Sequence, residues 1–466
     1  MKGQGRVSSK VSSQSFFESF DSMSWFFLLA LAPLFLFVQP QFSWILLVLP
    51  LTWLISLVAK RKPIPVTPYN LTLLIISIQV LVSLYATYDI AFSLQKITGV
   101  IWGITIFFNL LRLSKSLKGL LVTSIIYIGG SAGILLLGLL GIEWPTNKII
   151  FFNSLYESIP TLSKIIPVFK EGFHPNEVGG ATTWILPTMV IVCFWVILRF
   201  NKIKNFVPLY IIIPANLALI FLIGLGTIVL LFSQSRSAYI GIVFGFISLI
   251  FFVIPKKFRF LLIILILIGS GFLVYIFQNG QLISLANQLF PESGMASMAF
   301  STSTLSGRVE IWARAIYAIQ DFSFTGMGMN TFREVVNVLY PLQTISPDTP
   351  IKDIGHAHNL FLQTALDLGI PGLIGFIGMY MVSFWLLITN IQKLRRKSSE
   401  EHNPKRAIIK ELFLIISIGL FSSQISHLAY GMTDAIAFGA KPGIIFWVMQ
   451  SLICGIYFKV RLHDYN

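Results

Sequence analysis

The sequence predicts an all-α polytopic membrane protein of about twelve transmembrane helices, with a large, partly helical extracytoplasmic loop between helices 9 and 10. Three observations lead there. Of 466 residues, 55% are hydrophobic and only 11% charged, a balance foreign to soluble enzymes. Apolar runs long enough to cross roughly 30 Å of hydrocarbon, with every backbone group paired inside a helix, recur along the chain. Most of the 34 lysines and arginines fall in alternate connections between those runs, as short cytoplasmic loops require.

In chain order, residues 1–21 form a Ser-rich cytoplasmic tail with Lys2, Arg6 and Lys10, leading into an apolar segment without a small-residue cleavage site and so into an uncleaved anchor. Spans 1–9 occupy residues 22–277, near 22–38, 41–59, 69–87, 91–111, 119–141, 178–198, 206–231, 237–254 and 260–277. The first two read equally as a tight hairpin. An outer loop covers about 142–177 and a second outer loop domain 278–368. Spans 10–12 follow within 369–458, near 369–391, 409–430 and 442–458, and residues 459–466 form a second cytoplasmic tail. The net charge of +15 then reads as topology and attraction to anionic lipid. No nucleic-acid-reading module is present, and Cys193 and Cys454, both inside spans, read as packing residues.

The 278–368 loop exceeds the length at which a structureless connection is expected, so it must hold structure. Ser306 offers an N-cap and Glu310 a first-turn acid, followed by Ile311, Trp312, Ala315, Ile316 and Ile319 at helical spacing. This predicts an amphipathic helix of roughly four turns. Gly326-Met327-Gly328-Met329-Asn330 should end it and start a second, short helix.

Polar residues at the outer ends of the spans form the candidate site. Arg236 lies in Phe232-Ser233-Gln234-Ser235-Arg236-Ser237-Ala238, a polar hinge where a guanidinium needs an anion or a buried carboxylate. Arg308 is expected to open the loop helix, where free N–H groups and the positive dipole end add to its attraction for phosphate. Two arginines forking toward one place suit a diphosphate. Gly355-His356-Ala357-His358-Asn359 closes the loop, and imidazole exchanges a proton near neutral pH. His174 and Asn176 end the first outer loop, while Arg333, Lys352 and Lys170 add positive potential. Each has a plainer reading: a snorkelling arginine, a solvated loop charge, a hydrogen-bonded interface histidine, a capping turn. His356 either holds His358 in one tautomer or is a simple loop residue. A metal site on His356, His358, neighbouring Asp353 and His174 is the competing use of the same imidazoles. Lys96 and Asp434, the latter near Lys441, read as members of structural ion pairs, and His427 and Gln424, one turn apart, as lining one cavity.

Several motifs occur in order: Ser235-Arg236-Ser237, Arg308-x-x-x-Trp312, Gly326-x-Gly328-x-x-x-Phe332, and His358-Asn359 followed by nine residues, Gly369, two residues and Gly372. Together these resemble the O-antigen ligase and O-antigen polymerase superfamily, whose ligases carry His, then Asn, Ser or Gln, nine residues, Gly, two residues and Gly. The resemblance runs over about residues 170–390; the first five spans match in hydropathy alone. It implies a GT-C-like membrane glycosyltransferase in the bacterial cytoplasmic membrane, with its active site on the periplasmic face. The donor would be a glycan on undecaprenyl diphosphate, the acceptor a hydroxyl of a glycan or of the lipid A core, with membrane lipids the remaining partners. Arg236 and Arg308 would bind the diphosphate, and His358 would take the acceptor proton or orient its hydroxyl. The resemblance implies neither a metal nor a cofactor. Asn359 would bond the loop or the acceptor, Gly369, Pro371 and Gly372 would serve packing, and His174 and Asn176 stand where the family has an Asn-Pro-Asn-like element. The histidine two positions before the motif histidine departs from the pattern.

Ligase, polysaccharide polymerase and protein O-oligosaccharyltransferase share such catalytic groups; the motif spacing favours the ligase. An anion (bicarbonate) transporter is the competing class. It should place ionic groups at the midplane of two related halves, whereas here they gather on one face and no halves are visible. A non-catalytic scaffold would leave His358 and both arginines replaceable.

Overall fold

The computed structural model describes residues 20, 23–36, 40–59, 62–142, 144, 174–278, 302–341, 354–398 and 402–462. The N-terminal tail before them, the middle of both long loops, Lys170, Lys352 and Asp353 lie outside the described residues. Among the described residues the secondary structure is helical and no strand occurs. The helices are α1 (Ala32–Leu36), α2 (Val48–Val58), α3 (Asn70–Ala86), α4 (Ile90–Leu113), α5 (Leu117–Gly141), α6 (Pro175–Ile203) and α7 (Leu209–Ser233). They continue with α8 (Arg236–Val253), α9 (Lys256–Gln278), α10 (Thr302–Asp321), α11 (Phe332–Leu339), α12 (Leu360–Ser398), α13 (Pro404–Gly431) and α14 (Ile444–Leu462).

Side chains that start helices do so where a free backbone donor needs an acceptor. Asp89 accepts from Ala91 N, Ser116 from Gly119 N and Ser235 from Ala238 N, fixing the first turns of α4, α5 and α8. Eight segments among the described residues are long and apolar enough to cross a membrane. Of the expected twelve, these eight are matched among the described residues: Val48–Val58 and Asn70–Ala86 are shorter apolar helices, and the 3-10 stretch Pro40–Leu47 occupies the start of the expected second span. Phe221, Leu217, Phe260 and Leu267 are exposed on α7 and α9. Such apolar faces are stable against lipid and not against water, and the protein is a multi-pass membrane protein.

α13 runs through the middle of the bundle, packed against α6, α8 and α12, while α14 is clasped by α4 and α5. Small residues allow the close crossings. An added Cβ at Gly180 would collide with the ring of Tyr430, so the absence of a side chain on α6 lets Tyr430 pass its hydroxyl to Asn176 O at 3.1 Å. At the opposite end of the same pair, Arg199 Nη2 meets Glu411 Oε1 at 2.7 Å. The two contacts fix the register of α6 on α13 at both ends.

Two sequence expectations change. α10 begins at Thr302, so Ser306 is not its N-cap and Arg308 lies in its second turn, away from the free N–H groups of the first. The expected tenth span starts earlier, at Leu360, and consists of two helical pieces joined at Gly369. The short helix expected after Gly326–Asn330 is α11, and Cys193 and Cys454 are buried free thiols.

Candidate active site

The geometry begins with the entry into α12. Asn359 Oδ1 accepts from Phe361 N and Leu362 N, both at 3.0 Å, which caps the helix. Its Nδ2 donates to Met432 O at 2.9 Å, so one side chain ties the start of α12 to the connection between α13 and α14. Beyond nine intervening residues, Gly369 has φ +69° and ψ 178°, a conformation open essentially to glycine. The break exposes backbone to the turn after α10: Met327 N donates to Leu366 O and Ile370 N to Ser323 O, each at 2.7 Å. Asn330 N donates to Asp367 Oδ1 at 3.0 Å. The spacing from His358-Asn359 to Gly369 is thus the length of helix gripped by the turn carrying Gly326 and Gly328.

At the mouth of this assembly stands Asp434, the one acid in the α13–α14 connection, with its side chain only 1% exposed. Four side chains from three segments converge on it. His358 Nδ1 lies 3.3 Å and His356 Nε2 3.4 Å from Oδ1, while Asn176 Nδ2 donates to Oδ2 at 3.0 Å. Arg308 Nη2 stands 3.8 Å from the same Oδ2. One carboxylate oxygen faces two imidazoles, the other an amide and a guanidinium.

Burial raises the Asp434 carboxyl, but the His358 hydrogen bond and the charges of His356, His358 and Arg308 outweigh it and hold the group below the usual carboxylate range. An ionised carboxylate only accepts, so Nδ1 of a neutral His358 ring carries the proton and Nε2 keeps its lone pair. His356 is pushed down to about 3, first by burial and then by His358, His174 and Lys96, against the pull of Asp434. His356, His358 and Asp434 each present one ligand atom within 4.8 Å of the others.

The remaining expected residues take different places. Arg236, at the first residue of α8, feels the like charge of Arg308, and Ser237 beside it bonds Thr433, the neighbour of Asp434, at 2.9 Å. Arg236, Arg308 and His358 therefore share one end of the bundle. His174 caps α6, its Nδ1 accepting from Asn176 N at 3.3 Å, and so holds Asn176 toward Asp434. Arg333 lies in the first turn of α11. Lys96 pairs with Glu177 at 4.0 Å. His427 lines a small aromatic cavity with Trp184, Tyr380, Phe438 and Trp447, stacked on Trp184 at 3.7 Å.

Asp434 was legible in the sequence only as half of a structural ion pair. The available signal was a lone acid in a short connection between two apolar helices, where an ionised group requires partners. Trp312 was legible only as part of a spacing. Its Nε1 donates to the carbonyl of His358 at 3.4 Å, one turn along α10 from Arg308.

Residues 220–377 match the family model described as O-antigen ligase. That segment, about a third of the chain, is similar to an O-antigen ligase domain. The match agrees with the motif resemblance and spans Arg236, Arg308, His356 and His358, leaving Asn176 and Asp434 outside. The match supports a function of ligase or polymerase type in cell-surface polysaccharide synthesis. No curated protein matches the chain.

Proposed function

We propose that the protein transfers a glycan from undecaprenyl diphosphate to an acceptor hydroxyl, as an O-antigen ligase, at the periplasmic face of the bacterial cytoplasmic membrane. The observation that carries this reading is the meeting of His358 and Arg308 on the two oxygens of one buried carboxylate. The acceptor oxygen forms a bond to the first sugar carbon as the bond from that carbon to the diphosphate oxygen breaks. The acceptor proton passes to Nε2 of His358, whose Nδ1–H stays on Asp434. Charge that gathers on the departing diphosphate meets Arg308 and Arg236, fixed cations placed where negative charge develops. Asp434 keeps the imidazole in the tautomer that can accept, and Asn176 keeps Asp434 aimed.

His358→Ala, expressed in the host in place of the natural protein, tests the reading through the envelope glycans on a gel. Polymer left unattached is the result expected of a ligase. Accumulated single repeats make the enzyme a polymerase, and an unchanged glycan pattern overturns the enzyme reading.

A further inference from the structure

We infer that His356 is a positioning residue for His358, acting through the main chain, and that its ring is thereby closed to a metal ion. The inference rests on the reading of His358 as the reacting imidazole. His358 has φ +46°, in the left-handed region that a side-chain-bearing residue enters only when its surroundings enforce it. The enforcement is visible on both sides of the residue. Its N–H donates to Nδ1 of His356 at 3.0 Å, the i to i+2 pattern by which asparagine and aspartate build turns. Its carbonyl accepts from Nε1 of Trp312 at 3.4 Å. The two preceding amides are also engaged, His356 N with Ile354 O at 2.7 Å and Ala357 N with Gln363 Oε1 at 2.9 Å. Every backbone donor from 356 to 358 has an acceptor, and the imidazole of His358 is aimed at Asp434 as the result.

The same bonds decide the chemistry of the His356 ring. Nδ1 accepts a hydrogen bond, so it bears no proton, and the proton of the neutral ring sits on Nε2, which faces Asp434 Oδ1 at 3.4 Å. A metal ligand must offer a lone pair. The lone pair of Nδ1 is engaged by the His358 amide, and Nε2 holds a proton. His356, His358 and Asp434 have the spacing of a metal cluster, but His356 does not fit one while it holds this turn. Histidine does here what asparagine would do for the turn, and its second nitrogen faces Asp434.

The test uses the full chain in lipid nanodiscs, with undecaprenyl-linked glycan extracted from host cells lacking the enzyme and the host's own acceptor. His358→Ala is expected to abolish transfer. His356→Ala is expected to lower kcat about 10- to 100-fold with the donor KM unchanged, the scale of a displaced catalytic group. His356→Asn, whose Oδ1 can take the same N–H, should recover most of that loss, and Trp312→Phe should cost a few-fold in kcat. Wild-type protein should hold no stoichiometric zinc after incubation with it. If His358→Ala is inactive while His356→Ala matches wild type, the positioning role falls. It falls as well if His356→Asn, folded by its melting profile, is as slow as His356→Ala, or if zinc binds in a His356-dependent manner. Full activity of His358→Ala instead removes the reading of His358 and not the turn.

Discussion

Gly369 packs its bare α-carbon against the carbonyl of Phe324, so the helix that follows the motif histidine is broken where the turn after α10 must seat. Gly369→Ala brings its Cβ into that carbonyl and occupies a backbone region closed to alanine. The expected cost exceeds about 3 kcal/mol. A melting temperature in detergent equal to that of wild type would contradict the packing described.

Asp434→Asn preserves shape while replacing an acceptor by a group that can also donate, so His358 is no longer held in one tautomer. Turnover is expected to fall by at least about 100-fold with the fold retained. Steady-state transfer beside a melting curve checks both halves, and a loss under threefold sinks the assignment of Asp434.

Acid should weaken the protein in a window set by His356. An unfolded histidine titrates near 6.5, whereas burial brings His356 to about 3, with Asp434 opposing and His358, His174 and Lys96 adding to the shift. Between those values the unfolded chain binds a proton that the folded chain refuses, so stability falls as pH drops through the window and is complete above it. Asp434, held below the usual range, loses its contribution only at lower pH, as its carboxylate protonates. Between pH 7 and 5 the melting temperature of His356→Asn should therefore decline less than that of wild type. Parallel curves would show that His356 does not resist protonation.

Gln424 is fully buried in α13, and neither atom of its amide has a hydrogen-bond partner. Gln424→Met removes the desolvated dipole at similar volume, and a gain of about 1–2 kcal/mol is expected. Destabilisation measured by thermal melting would instead mean that ordered water satisfies the amide.

The sequence made Arg308, His358 and the glycine spacing legible because each is a local pattern of residue type and distance along the chain. It misplaced the start of α10, since the run Ser301-Thr302-Ser303-Thr304 offers several caps and local chemistry does not rank them. Asp434 stayed hidden as the centre of the site because its partners stand 76 and 258 positions away, where no periodicity reaches. The expected second span differs in local structure from what hydropathy alone conveys. Residues 40–47 are apolar yet wind as a 3-10 helix behind Pro40, which hydropathy does not sense.

The carboxylate that organises this centre is supplied by the α13–α14 connection, 76 residues after His358. During synthesis the arginines and the histidine emerge well before it, and the imidazole has no anchor until the last hairpin inserts. On the proposed mechanism, a chain lacking that hairpin should be inert, and competence should arrive only with completed insertion.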